Sequence, residues 1–157
     1  MKIESIVTIK KELKHLPKEQ LLELCLRLGK FKKENKALLT YLLFQADDET
    51  GYIESVKSSL DELFEKINTD SYFYMKKTIR KILRQINVYS RYSTEKSTKV
   101  ELLLYFCECL NELRPSVHKN TILNNLYKRQ ILSIKKKISV LHEDLQYDYN
   151  QDLSLLR

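Results

Sequence analysis

The stretch Met75-Lys76-Lys77-Thr78-Ile79-Arg80-Lys81-Ile82-Leu83-Arg84-Gln85-Ile86-Asn87-Val88-Tyr89 decides the fold class. Met75, Ile79, Ile82, Ile86 and Tyr89 recur in steps of four and three, the spacing that lines one face of an α-helix. At about 100° per residue, Lys76, Lys77, Arg80, Lys81, Arg84 and Arg91 project to the far side. A strand sends alternate residues to opposite faces and could not separate these two sets. The spacing therefore predicts a helix over 71–92, with one narrow apolar stripe and one broad cationic arc.

The same period runs outward in both directions. Towards the N-terminus, a helix over 52–68 is expected from Ile53, Val56, Leu60, Leu63, Phe64 and Ile67, with Glu54, Asp61, Glu62 and Glu65 on the opposite arc. A helix over 34–46, carrying Ala37, Leu38, Leu39, Tyr41, Leu42, Leu43 and Phe44, is apolar nearly all round, which predicts a central, buried position. Before it lie two shorter helices. One covers 3–16, and the next starts at Pro17 in its first turn and stops at Gly29. Lys30-Phe31-Lys32-Lys33 forms a basic turn.

Towards the C-terminus, Ser93 to Lys99 reads as a polar loop. A second largely apolar helix over 98–113 has Glu101, Glu108 and Glu112 as its only polar ridge. Tyr127, Ile131, Ile134, Ile138, Leu141 and Leu145 then make a heptad seam. One helix over 116–146 would be about 45 Å long at about 1.5 Å per residue.

With 2 Gly and 2 Pro in 157 residues, turn chemistry is too sparse for a strand-rich fold. The expected fold is all-α: a single bundle or short α-α superhelix of about seven helices, with a long C-terminal helix, forming one helical domain over 1–157. Leu38-Leu39-Thr40-Tyr41 matches Leu102-Leu103-Leu104-Tyr105 at a separation of 64 positions. That likeness raises a pseudo-repeat of 1–66 and 67–146, followed by a frayed polar tail over 147–157.

Cys25, Cys107 and Cys109 are too few and odd in number for a disulfide framework. No apolar core of a signal peptide and no apolar run of membrane-spanning length is visible. A reduced, cytoplasmic protein without a membrane partner is the expectation.

Chemistry is sparse. Cys107 and Cys109 would point about 200° apart on a helix and could not share an ion. Glu12-x-x-His15 lacks the second motif and the extra glutamates of a di-metal bundle. Asp148-x-Asn150-x-Asp152 lacks the glycine and closing glutamate of a calcium loop. No phosphate-binding glycine loop and no nucleophile elbow is present. No catalytic activity, metal, cofactor or small-molecule substrate is therefore expected.

The formal charge of +7 is local, because 71–99 holds eight basic residues and one acidic one and the rest sums to zero. Lys76, Lys77, Arg80, Lys81 and Arg84 make a candidate anion or nucleic-acid surface. Tyr72, Phe73, Tyr74, Tyr89 and Tyr92 lie at the ends of the same helix, where rings can stack on unpaired bases. Lys128, Arg129 and Lys135-Lys136-Lys137 could extend that surface. The acidic arc of the preceding helix could equally cover it.

Ile131, Ile134, Ile138, Leu141 and Leu145 make a candidate self-association seam. The leading expectation is a helical protein-interaction or scaffold protein, with a protein partner or a homodimer. Nucleic-acid binding through the basic face of the helix at 71–92 is the alternative. Leu16 to Leu43, two short amphipathic helices around a basic turn, resembles small helix–turn–helix modules such as the SAP domain. It lacks the small-residue and glycine pattern of that module, so no function carries over. The paired amphipathic helices are similar in the same way to repeats of the HEAT type.

Overall fold

The computed structural model describes residues 1–156 and contains eight α-helices and one short 3-10 turn, with no strand among the described residues. The helices are α1 (Ile6–Lys14), α2 (Lys18–Phe31), α3 (Lys33–Phe44), α4 (Glu49–Glu65), α5 (Tyr72–Tyr89), α6 (Lys96–Glu112), α7 (Thr121–Ile138) and α8 (Glu143–Leu155); the 3-10 turn is Val117–Lys119. The protein is all-α, as its apolar period dictates. The chain divides into two compact units, Met1–Phe44 and Gln45–Arg157. The pseudo-repeat boundary between 66 and 67 falls inside the second unit, after α4.

In the first unit, Ser5 starts α1 by accepting a hydrogen bond from the Thr8 backbone N–H at 3.2 Å. Pro17 sits at the N-cap of α2, with φ −66° and ψ 157°, one position earlier than expected. The expected stop at Gly29 does not occur: α2 runs on to Phe31. Gly29 lies instead at the contact with α3. A Cβ there would come within 2.8 Å of Leu39 Cδ1, so the missing side chain lets α2 and α3 approach closely. The carbonyl of Leu28, near the end of α2, accepts from Asn35 Nδ2 at 2.8 Å, a cap supplied by α3.

The expectation that α3 would be central is not met. Of its side chains only Tyr41 is buried, while Leu42, Leu43 and Phe44 are exposed. Within its own unit α3 packs on α2, and a single neighbour covers only one side of a helix that is apolar nearly all round.

In the second unit, α6 meets the expectation. It packs against α4, α5, α7 and α8. Leu102, Leu103 and Leu104 are all buried in succession, together with Val100, Phe106, Cys107 and Leu110. Each such side chain contributes about 1.5–3 kcal/mol of transfer free energy. Around it, α4 buries Tyr52, Ile53, Val56 and Leu60, and α5 buries Met75, Ile79, Ile82 and Ile86. Two phenols tie the frame: Tyr52 donates to the Tyr89 carbonyl and Tyr72 to the Ser116 carbonyl, each at 2.9 Å. Thr98, fully buried at the start of α6, donates to the Glu49 carboxylate.

The single helix expected over 116–146 is divided. After the 3-10 turn, α7 is capped by Asn120, whose side chain accepts from the Leu123 N–H at 3.2 Å, and ends at Ile138. Lys135, Lys136 and Lys137 complement the negative end of its dipole. His142 then caps α8, and Glu143 and Asp144 occupy the first turn of that helix. The charge reversal from lysines to acids stabilises two helix ends back to back. The tail over 147–157, expected to fray, is helical through Leu155, and α8 docks on α6 and α7 with Leu153 buried.

Candidate nucleic-acid interface

The second unit sets the polarity of α5. Four of its stripe residues, Met75, Ile79, Ile82 and Ile86, have no exposed surface at all. With that face committed to the core, Lys77, Arg80, Lys81 and Arg84 are exposed, and Lys76 is half-buried along its stem. Lys76, Lys77, Arg80 and Arg84 line a groove of about 380 Å³ with Phe73 and Ile122, the latter from the first turn of α7. Lys81 stands outside the groove.

The acidic arc of α4 does not neutralise these cations. Glu54 pairs with Lys57 at 2.9 Å, and Lys57 also reaches Glu101 of α6 at 3.0 Å. These two carboxylates outweigh the burial of Lys57 and hold its ammonium pKa above the ordinary value. Glu62 pairs with Lys66 at 3.7 Å, and Asp61 accepts from the Tyr105 hydroxyl. Among the described residues no carboxylate lies within 4.0 Å of Lys76, Lys77, Arg80, Lys81 or Arg84. Within the second unit no ion pair among the described residues closes the basic arc.

A second concentration of positive charge joins residues of the basic stretch 71–99 to the lysine run 135–137, the extension that the sequence raised. Lys99 on α6 has its pKa lowered, first by burial and then by the nearby charges of Lys137 and Arg91. Arg91 and Lys99 flank the loop from α5 to α6, and Lys137 comes from the end of α7, distant in the chain.

The aromatic residues of α5 divide by role. Tyr72 and Tyr89 belong to the hydrogen-bonded frame, and Tyr89 also packs edge-on against Tyr92, with ring centroids 5.9 Å apart. Phe73 and Tyr74 are exposed, and their rings meet edge to face at 5.5 Å. Phe73 is the one that lines the cationic groove.

The candidate self-association seam is not brought together on a surface. Ile134 and Ile138 are buried in the core of the unit, Ile131 and Leu141 are half-buried, and Leu145 lies beyond the helix break, exposed on α8. Ile131 instead lines an apolar pocket of about 540 Å³ with Tyr127, Leu132 and His118. A dimer seam needs these residues on one continuous free face, and the fold has used the strongest of them.

The α8 helix contains Asp148, Asn150 and Asp152, so they form no calcium loop. Cys107 is buried, and burial pushes its thiol up to about 12; the same cause pushes half-buried Cys109 up to about 11. The two thiols occupy different environments, since Cys109 lines a groove with Asp61, Glu65, Glu108 and Glu112 and Cys107 does not. Among the described residues no three metal-ligating side chains converge, and no helix is long and apolar enough to cross a membrane. Comparison with protein-family models, with curated proteins and with solved structures finds no match to this chain.

Proposed function

We propose that this chain acts by binding nucleic acid through the basic face of α5, with no chemistry of its own. The observation that carries the proposal is the unpaired state of Lys76, Lys77, Arg80, Lys81 and Arg84 opposite a fully buried stripe. A cationic face normally gains by pairing with neighbouring acids. Here Glu49, Glu54, Asp61 and Glu62 of α4 are engaged elsewhere, and none of the acids of α4 pairs with the cations of α5. Phosphates are the ligand that such a rigid, one-sided array suits, because a helix fixes the spacing of its charges before binding.

Five phosphate contacts predict that the logarithm of affinity falls with the logarithm of salt with a slope of about −3.5 to −4.5. Charge reversal at Arg80→Glu with Arg84→Glu removes two contacts and flattens the slope by about 1.4 to 1.8. Fluorescence anisotropy with a labelled oligonucleotide over a salt series reads both quantities. Unchanged affinity and slope in the double variant would refute the proposal.

A protein-interaction role is the second reading, and a different observation favours it. In the unit Met1–Phe44, Leu22, Leu26, Leu28, Phe31, Leu43 and Phe44 are all exposed. Apolar surface left open on this scale marks an interaction face more often than an ordinary exterior.

A further inference from the structure

We infer that the α5 groove selects single-stranded over duplex nucleic acid, with Phe73 as the platform on which one unpaired base stacks; this rests on the nucleic-acid reading of the same face. The groove has two kinds of lining. Lys76, Lys77, Arg80 and Arg84 make a cationic rim, while Phe73 and Ile122 make an apolar wall. Cations alone would serve any polyanion. The apolar wall asks for a ligand that offers phosphates and an apolar face together.

Phe73 is 70% exposed at the first turn of α5, although a ring of that size ordinarily gains from burial. Its neighbour Tyr74 meets it edge to face at 5.5 Å, with the ring planes at 78°. That contact steadies the pair and leaves most of the Phe73 surface open. A solvent-facing ring beside four cations is the combination used where bases stack and backbones are tracked.

A duplex keeps the faces of its bases inside the stack and presents phosphates and base edges. Against it, Phe73 and Ile122 would lose water without gaining a partner. A single strand can turn a base onto Phe73 while its phosphates follow the arc towards Arg84. The rise from Phe73 to Arg84 is about 16 Å at about 1.5 Å per residue. At the spacing of about 3.4 Å per strand of a stacked duplex that distance would hold about five nucleotides, and an unstacked, more extended strand covers it with fewer.

The test uses the full chain and anisotropy titrations with two probes: an oligodeoxythymidine of about twelve nucleotides, within the usual site-size range, and a DNA duplex of the same length. The wild-type protein should bind the single strand more tightly at equal salt. Phe73→Ala should weaken single-strand binding by about 5- to 150-fold, the loss for one stacked base, and leave duplex binding unchanged. Phe73→Tyr should retain the preference, because a phenol presents the same face.

Three results overturn the inference. If the duplex binds as well as the single strand and only Arg80→Glu with Arg84→Glu weakens both, this inference fails and the α5 reading stands. If Phe73→Ala weakens both probes equally, the ring is a general contact and the selectivity is absent. If neither probe binds, the α5 reading and this one fall together.

Discussion

The polarity of α5 makes a prediction that neighbouring residues test against each other. Ile79 is completely buried and Arg80, the next residue, is exposed. Ile79→Ala removes three carbons from a site without solvent access. At about 0.8 kcal/mol per buried methylene, the transfer loss alone is about 2.4 kcal/mol. The cavity adds to it, because α4 and α6 hold the walls in place, which brings the cost to about 3–4 kcal/mol, inside the usual range for buried aliphatic truncations.

Arg80→Ala touches no ion pair and should change stability by no more than about 0.5 kcal/mol. In chains of this size each kcal/mol moves the melting midpoint by about 2–4 °C, so Ile79→Ala should melt about 6–16 °C below the wild type. Arg80→Ala should stay within about 2 °C. Circular dichroism at the helical minimum, followed through thermal and urea unfolding, reads both. A result in which Arg80→Ala costs more than Ile79→Ala would show that the stripe faces water, and the assignment of the cationic arc would fail with it.

The thiols give an independent check on α6: at mildly alkaline pH a thiol reagent should modify only exposed Cys25 rapidly in the native protein, and all three cysteines after denaturation, because burial raises Cys107 to about 12 and Cys109 to about 11. Rapid native modification of two or more sites contradicts the packing of α6. Ile134→Asp places a carboxylate in a fully buried site and should abolish the cooperative thermal transition; a folded variant of wild-type stability and altered mass would instead restore the self-association seam. For Lys99 the sign runs against the usual lysine. Its folded pKa lies below the unfolded one, so its charge costs stability at neutral pH, and the cost is relieved as pH rises through the folded pKa towards the unfolded one. Lys99→Gln should therefore stabilise by a few tenths of a kcal/mol after solvent screening, with the gain shrinking in high salt; a loss of stability in urea titrations at low salt would show that Lys137 and Arg91 do not press on it.

The elements that were legible in sequence are those whose apolar residues hold one helical period between clear ends. The helices α4 and α5 appear close to their expected positions, and α6 occupies the centre that its all-round apolar surface predicts. The division of α7 from α8 was missed although its signals were written in the chain. Lys135-Lys136-Lys137 suits a helix end and Glu143-Asp144 suits a helix start, but the seam from Tyr127 to Leu145 keeps its steps of four and three across the join. Apolar spacing records which residues face inward, and two helices that pack on the same neighbour can preserve it through a break. Gly29 misled for a related reason. A glycine near a helix end signals a stop, yet here the absence of a side chain serves the approach of Leu39 from another helix.

The candidate site divides along the same line. Which side chains of α5 are cationic, and that they share one arc, follows from the sequence alone, because the angle between neighbours on a helix is a local property of the backbone. That no ion pair among the described residues of the second unit closes the arc, that Glu54 and Asp61 bind Lys57 and Tyr105 in preference to it, that Phe73 joins Ile122 in the groove, and that Ile134 and Ile138 are lost to the core are facts of tertiary structure. Pairing and burial depend on what stands opposite a side chain, and that neighbour comes from a distant part of the chain.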